Sequence, residues 1–438
     1  MELKKTARAC AFEILLRCEQ AGGYANITLD SLLDKYALAP NDRALATELV
    51  FGVIERKITL DHYISRLAGG KMKKIEPEVL CLIRLGVYQL AFLDRVPSYA
   101  AVNESVSLAP KRAKGFVNAI LRSFMRLEKL PELPEDPIER LSVKHSYPEE
   151  LCELFCSEFG YERAESLLDA MNKKPTATLR VNTLKTGREE LISALKNEGI
   201  LAEAATLSPV GLKTDGGAVA KTHAFDKGHF FVQDEASQIC VEALGAKEGE
   251  TVIDVCSAPG SKSFGAAVNM KNSGRIVSCD LHKNKLSLIS GGARRLGIDI
   301  IETRAQDARV TVDEFVGIAD RVLCDVPCSG FGVIAKKPEI RYKDVSQTES
   351  LPEIQYAILK NCAAYVKPGG TLVYSTCTVL DRENGANVRR FLTENTDFYA
   401  EDFSVNGKIY GAQTTLMPDT DGTDGFFIAH MRRKKTDD

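Results

Sequence analysis

Four short apolar runs rich in β-branched residues, at 252–255, 275–279, 321–324 and 371–374, are separated by stretches of helical length. Short strands alternating with helices form parallel crossover units, so everything from Asp234 onward is expected to fold as a doubly wound parallel sheet. Residues 236–244 read as a helix entering that sheet, and 425–431 as a further strand. In open sheets of this kind ligands bind outside the carboxyl ends of the strands. The residues that follow each run are therefore the ones to read for chemistry.

The first run leads into Asp254-Val-Cys-Ser-Ala-Pro-Gly260-Ser-Lys262, a strand, a tight turn and then a helix. Gly260 permits a close backbone approach. The turn is not G-x-G-x-x-G, which disfavours a nicotinamide cofactor. The second run ends at Asp280, where a carboxylate can accept from both hydroxyls of a ribose. The third strand region ends at Gln306-Asp307, placed to meet an adenine edge. Acidic strand ends around one turn suit a nucleoside that carries no phosphates, and S-adenosyl-L-methionine, a sulfonium cation with a ribose and an adenine, fits as methyl donor. The expected cofactor set is Cys256, Ser257, Ala258, Pro259, Gly260, Ser261, Lys262, Asp280, Asp307 and Asp325. Any single aspartate among them is equally explained as a turn or helix-capping residue.

The third run, 321–324, opens onto Asp325-Val-Pro-Cys328-Ser-Gly-Phe-Gly, and the fourth, within Gly370-Thr-Leu-Val-Tyr-Ser-Thr, ends on Cys377. A free cysteine is most often a small buried hydrophobe. Two at strand ends, one beside an aspartate, suggest nucleophilic chemistry. C5 of cytosine is a poor nucleophile until a thiolate adds at C6 and turns the ring into an enamine. Asp325 is the candidate acid at N3, provided that burial raises its pKa. The second thiol would help expel the enzyme.

The front of the chain reads differently. Ala7, Cys10, Ala11, Ile14, Leu15 and Cys18 recur at helical spacing, which makes Cys10 and Cys18 core residues. Amphipathic patterns follow at 44–64, 79–92, 100–108 and 116–127, with Pro77 near a first turn, where proline is tolerated. An all-α bundle is expected. Residues 130 to about 145, containing Leu130-Pro-Glu-Leu-Pro-Glu-Asp-Pro137, read as a linker. A small α+β unit comes next: helix over 148–171, strand over 176–182, helix over 188–197 and short strands at 200–205 and 228–233. Arg180 and Asn182 either face substrate or belong to an exposed strand pair. The expected domains are 1–140, 141–232 and 233–438.

With a net charge of -3 the chain is not coated in positive charge, yet a local basic stripe is enough to bind phosphates. Lys71/Lys73/Lys74, Lys111/Arg112/Lys114, Lys336/Lys337 with Arg341, and Arg432 to Lys435 are the candidates; each is also explained as a solvated face. The 12 cysteines include no Cys-x-x-Cys pair and the six histidines do not cluster with them, so no metal is expected and the thiols read as reduced, in a cytoplasmic protein. No apolar run reaches ~18 residues, so no membrane span is expected, and no signal-peptide core is evident.

Asp42-Arg-Ala-Leu-Ala-Thr-Glu-Leu-Val-Phe-Gly, Val96-Pro-Ser-Tyr-Ala-Ala-Val-Asn-Glu-Ser-Val and Lys114-Gly-Phe-Val-Asn-Ala-Ile-Leu-Arg122 resemble the NusB family of RNA-binding helical domains. A scaffold or dimerisation bundle is the plainer alternative. The turn 254–262, the Asp325-x-Pro-Cys328-Ser-Gly-x-Gly stretch, Tyr374-Ser-Thr-Cys377, Asp424-Gly-Phe-Phe-Ile-Ala429 and Val232-Gln-Asp-Glu-Ala-Ser237 resemble the RNA 5-methylcytosine methyltransferases of the NOL1/NOP2/Sun family. The resemblance implies a multidomain fold ending in a Rossmann-like methyltransferase domain. It implies Cys377 as nucleophile, Cys328 as the aid to product release, Asp325 on the cytosine, Lys262 by the methionine end, Asp280 on the ribose and Asp307 on the adenine. With the NusB-like front it implies 16S rRNA as substrate and a monomer acting without metal. Ser261, Val326, Phe331 and Thr378 depart from the usual glycine, alanine, threonine and serine, which bears on substrate fit. A tRNA substrate, or an RNA-binding assembly factor with an inactive catalytic fold, are the competing readings; DNA methylation is disfavoured because it would not need Cys377.

Overall fold

Proline sets several of the helix starts. Pro40–Glu55, Pro77–Phe92 and Pro137–His145 each begin on proline, whose missing N–H costs nothing in a first turn. The computed structural model describes residues 6–21, 25–69, 72–216 and 218–435. They fall into two compact units, Met1–Asn172 with Lys337–Lys343, and Lys173–Lys336 with Asp344–Asp438.

The first unit is helical throughout. Pro77–Phe92 is its central helix, with ten buried residues, because its apolar side chains run nearly all the way round. Its buried charge, Arg84, is met by a fork from Asp61 (2.6 and 2.7 Å) and by Glu19 at 3.0 Å. The pattern read over 44–64 is two helices, Pro40–Glu55 and Lys57–Leu67, and that over 148–171 is broken at Gly160, which takes φ +79°. Cys10 is fully buried, whereas Cys18 is only partly covered. The expected linker is shorter than its prolines suggested. Pro137–His145 is a helix, capped by the Asp136 carboxylate, which accepts from the N–H groups of Ile138 and Glu139.

Lys337–Lys343 folds into this helical unit although its neighbours on both sides belong to the other. Arg341 anchors it. The guanidinium is fully buried, donates to the carbonyls of Glu55 (2.7 Å), Ser146 (3.3 Å) and Pro338 (3.2 Å), and lies 4.4 Å above the Tyr147 ring. Tyr342 donates to the Ile54 carbonyl at 2.6 Å. Arg341 therefore does not serve the phosphate-binding role its basic neighbourhood suggested. Arg341→Ala is expected to cost about 3 kcal/mol of stability, since it strands buried carbonyls and empties a cavity. Chemical denaturation followed by far-UV dichroism checks this.

The second unit holds two sheets. The small one orders Ala202–Ala204, Gly211–Thr214, Ala177–Val181 and Phe230–Val232, all antiparallel, with the Arg188–Asn197 helix. Gly211–Thr214 was not read from the sequence; it is short and lies in a glycine-bounded stretch without clear alternation. The large sheet runs Phe398–Ala400, Phe426–Arg433, Val366–Thr376, Ala319–Asp325, Thr251–Asp254, Arg275–Asp280, Ile301–Ala305, with Gln413–Leu416 beside Phe426–Arg433. Its five core strands are parallel and Phe426–Arg433 is antiparallel. Thr251–Asp254 has later strands on both sides, so the order reverses there. That switch point is where a doubly wound sheet leaves a crevice.

Candidate active site

The switch point brings together the ends of four strands, and the turn after Thr251–Asp254 forms its floor. Ser257 bonds the Cys279 carbonyl through both its N–H (2.8 Å) and its hydroxyl (2.9 Å), which pins the turn to the neighbouring strand. Gly260 takes φ +110° and caps the Ser261–Asn269 helix; a Cβ there would lie 2.6 Å from the Phe264 ring. Asp280 is nearly buried. Its oxygens accept the N–H of His282 at 2.9 Å and of Ala258 at 3.3 Å, which orients the carboxylate and leaves lone pairs for further donors. This donor set fits a ribose-bearing cation and offers no cluster of N–H groups and lysines for a diphosphate. Asp307 is already forked by Arg309 (3.0 and 2.7 Å), and that hydrogen bonding holds its carboxyl below the ordinary range.

The catalytic candidates converge across 63 residues of sequence, a separation the parallel sheet closes. Lys262 donates to Asp325 Oδ2 at 2.7 Å, and the Ser375 hydroxyl donates to Asp325 Oδ1 at 2.7 Å. Burial disfavours the Lys262 ammonium, but Asp325 more than offsets it, so its pKa stands above the ordinary lysine value. Both oxygens of Asp325 are thus engaged by donors. Ser375, which completes the grip, was missed as one more residue of a strand.

Cys328 and Cys377 stand with their sulfurs 3.2 Å apart. Backbone bonds join their loops: Gly332 N–H to the Cys377 carbonyl (3.0 Å) and Val326 N–H to the Ser375 carbonyl (3.1 Å). Their surroundings differ. Lys262 feels the charge of Cys377. The hydrogen bond to Cys377 and partial burial push the half-buried Cys328 thiol well up, and the charge of Glu383 adds to this. A thiolate forms more readily beside an ammonium than beside a carboxylate.

The departures noted in the motifs sit behind this pair. Phe331, Val326 and Thr378 are buried, and Thr378 accepts from the Ser329 hydroxyl at 2.8 Å. The Ser261 carbonyl accepts from Gln233 at 3.1 Å. Lys336 pairs with both Asp234 and Asp424, the latter at 2.9 Å; burial and Asp234 raise the Asp424 carboxyl to about 7. Lys336 is thus tied up within the protein, as are Arg432 and Arg433, which bond to Gly369, Val366 and Asp397. Lys73, Lys74, Lys111 and Arg112 are exposed, and Lys71 lies outside the described residues. Arg180 and Asn182 face neither substrate nor solvent. Both are fully buried, Arg180 on Glu242 (2.6 Å) and Asn269 (2.8 Å), Asn182 on the carbonyls of Gly228 and Leu296, because their strand is flanked on both sides. Among the described residues no cluster of histidine, cysteine and acidic groups could hold a metal ion, and no helix is long and apolar enough to cross a membrane.

Asp254 lies beneath the turn, fully buried, accepting from the Ser263 hydroxyl at 2.6 Å. Burial, opposed by Ser263 and reinforced by the nearby Asp325, raises its carboxyl to about 7. A carboxyl whose pKa is higher folded than unfolded favours the folded state at low pH. That contribution is lost as pH rises from about 4 through 7 and amounts to on the order of 4 kcal/mol. Asp254→Asn is therefore expected to flatten the decline of stability over that window. Urea unfolding of both proteins at pH 5 and pH 8 reads the difference.

The family model described as 16S rRNA methyltransferase RsmB/F matches residues 241–432, that of the NusB family matches 5–126, and the RsmF/B-like ferredoxin-like domain matches 147–219. A relative in Bacillus subtilis (strain 168), named a probable ribosomal RNA small subunit methyltransferase B, is 40% identical over 99% of this chain and 100% of its own. One of the same name in Synechocystis sp. is 37% identical over 98% of this chain and 99% of its own. Among solved structures, PH0851 superposes with a TM-score of 0.83 at 25% identity, covering 99% of this chain and 100% of that one. NSun6 from Pyrococcus horikoshii, solved with SFG, shares the fold with a TM-score of 0.60 at 24% identity over 66% of this chain and 99% of its own.

Proposed function

The chain belongs to the RsmB/F family of 16S rRNA methyltransferases, and from that premise we propose that it methylates C5 of one cytosine of 16S rRNA through a covalent adduct between Cys377 and C6 of the base. The observation that carries this reading is the pair of thiols at two strand ends, Cys328 and Cys377, with sulfurs 3.2 Å apart, together with the Lys262–Asp325 ion pair at 2.7 Å.

S-adenosylmethionine, when bound, supplies an electrophilic methyl group on a sulfonium cation. Asp280 would take the ribose hydroxyls, the turn 256–261 would lie along the nucleoside, Asp307 would meet the adenine while it keeps Arg309, and Lys262 with Asp325 would border the methionine end. Cys377 attacks C6 of the cytosine as its thiolate. The Lys262–Asp325 pair sits where it can hold the polar edge of the ring, with Lys262 the member that carries a proton. Addition at C6 makes C5 nucleophilic, which splits one difficult substitution into two easier steps. Once C5 carries the methyl group, a base takes its proton, the electron pair closes the C5–C6 double bond, and the bond from C6 to sulfur breaks to return Cys377 as a thiolate; Cys328 assists that release. The target base must leave its stack to expose C6, so an unpaired target is favoured. The exposed Lys73, Lys74, Lys111 and Arg112 of the helical unit would contact phosphates.

Treating 16S rRNA with the protein and S-adenosylmethionine, then mapping 5-methylcytosine by bisulfite sequencing, tests the function; a single modified cytosine is expected, and modification of tRNA alone would contradict it. Asp280→Ala is expected to weaken binding of S-adenosylmethionine by about 1.5–3 kcal/mol, the scale of hydrogen bonds to a charged group. RNA affinity should be nearly unchanged, and isothermal titration of each ligand checks both.

A further inference from the structure

Cys328 is gripped from both sides by two side chains that no motif identifies. Glu383 is fully buried, and its Oε2 accepts the N–H of Ser329 at 2.9 Å. Gln355 is also fully buried; its Nε2 donates to the Pro327 carbonyl at 3.0 Å and to the same Glu383 Oε2 at 2.8 Å. The peptide groups immediately before and after Cys328 are thus tied to one hydrogen-bonded pair. The pair is itself held: Asn387 donates to the Gln355 side-chain carbonyl at 3.4 Å and to the Pro352 carbonyl at 3.1 Å. The other oxygen of Glu383 has no hydrogen-bond partner.

A buried carboxylate is costly unless its bonds accomplish something. Here one oxygen receives two donors and the other none, so the group is not there for its own satisfaction. Its bonds fix the loop that carries the releasing thiol.

We propose that Glu383 and Gln355 act together as positioning residues that hold Cys328 against Cys377 for the release of the methylated base. The pair acts through the Pro327-Cys328-Ser329 backbone that it ties on both sides of the thiol. The proposal rests on the reading of Cys328 as the releasing thiol. Loosening the grip should leave attack by Cys377 and methyl transfer in place and slow the last step, so that methylated enzyme–RNA adduct accumulates.

The experiment incubates full-length variants with 16S rRNA and methyl-labelled S-adenosylmethionine and measures label that stays with protein through a denaturing gel. Glu383→Ala is expected to raise the adduct at least tenfold over the unaltered protein, and Gln355→Met, which removes one of the two ties, at least threefold. Glu383→Gln keeps an oxygen to accept from Ser329 and should lower the adduct well below the Glu383→Ala level; a merely structural role predicts no such rescue. Should Glu383→Ala fail to fold, Gln355→Met decides. Adduct at the unaltered level in folded variants, or loss of adduct formation altogether, overturns the inference. A Cys328→Ala control that traps no labelled adduct overturns the reading of Cys328 itself, and the inference with it; a control that does trap it confines any failure to Glu383 and Gln355.

Discussion

Cys377→Ala is expected to lower methyl transfer by on the order of 10⁴-fold or more, the scale seen when a covalent nucleophile is removed. The effect belongs to chemistry rather than folding. Cys377 is only partly buried, packed at the edge of a hydrophobic cluster, and losing its sulfur should cost little stability. Cofactor binding should survive, because Asp280 and the Ser257-pinned turn are untouched. Cys328 cannot substitute. With Cys377 gone, burial and the charge of Glu383 still push its thiol up, so it offers little thiolate where a thiolate is needed. Single-turnover assays at saturating S-adenosylmethionine, with thermal unfolding as a control, measure the drop.

Lys262→Met should reduce kcat by on the order of 10²- to 10⁴-fold, the usual range for a positioned proton-bearing group. Three effects of the lysine vanish together. The Asp325 carboxylate loses its 2.7 Å partner and keeps only the Ser375 hydroxyl. The charge that favours a thiolate at Cys377 is gone. The proton the pair carried is gone as well. Because the second effect acts through ionisation of a thiol, part of the lost rate should return as pH rises toward 9. A pH–rate profile that stays flat and low would assign the lysine to cofactor binding alone. Its ammonium lies 5.0 Å from the Phe426 ring, and methionine should fill much of the space the side chain leaves.

The parallel sheet was legible because each buried strand is a short β-branched run followed by a residue with chemistry: Asp254, Asp280, Asp325, Cys377. The helices of the front were legible from apolar spacing. What escaped the sequence has physical reasons. Pro137 looks like a linker residue but sits at a first turn, where proline starts a helix as readily as it ends one. Gln413–Leu416 is short and mostly polar, with no continuous apolar run. Arg180 and Arg341 look like surface charges, yet each is drawn inward by acceptors distant in sequence, Glu242 for one and the Glu55 and Ser146 carbonyls for the other. Glu383, within Asp381-Arg382-Glu383, reads as part of a solvated charge run, and only the fold shows it facing the peptide after Cys328. Asp325 was found by motif, while its partners Lys262 and Ser375 are brought to it by the fold, which spacing alone does not place.

The division of labour between the two sulfurs is most directly tested by one denaturing gel. Cys377→Ala and Cys328→Ala are each incubated with 16S rRNA and methyl-labelled S-adenosylmethionine, boiled in detergent and resolved. The account predicts a shifted labelled band from Cys328→Ala, which attacks and methylates but cannot release, and none from Cys377→Ala. A labelled band from Cys377→Ala with none from Cys328→Ala would contradict it and exchange the two roles.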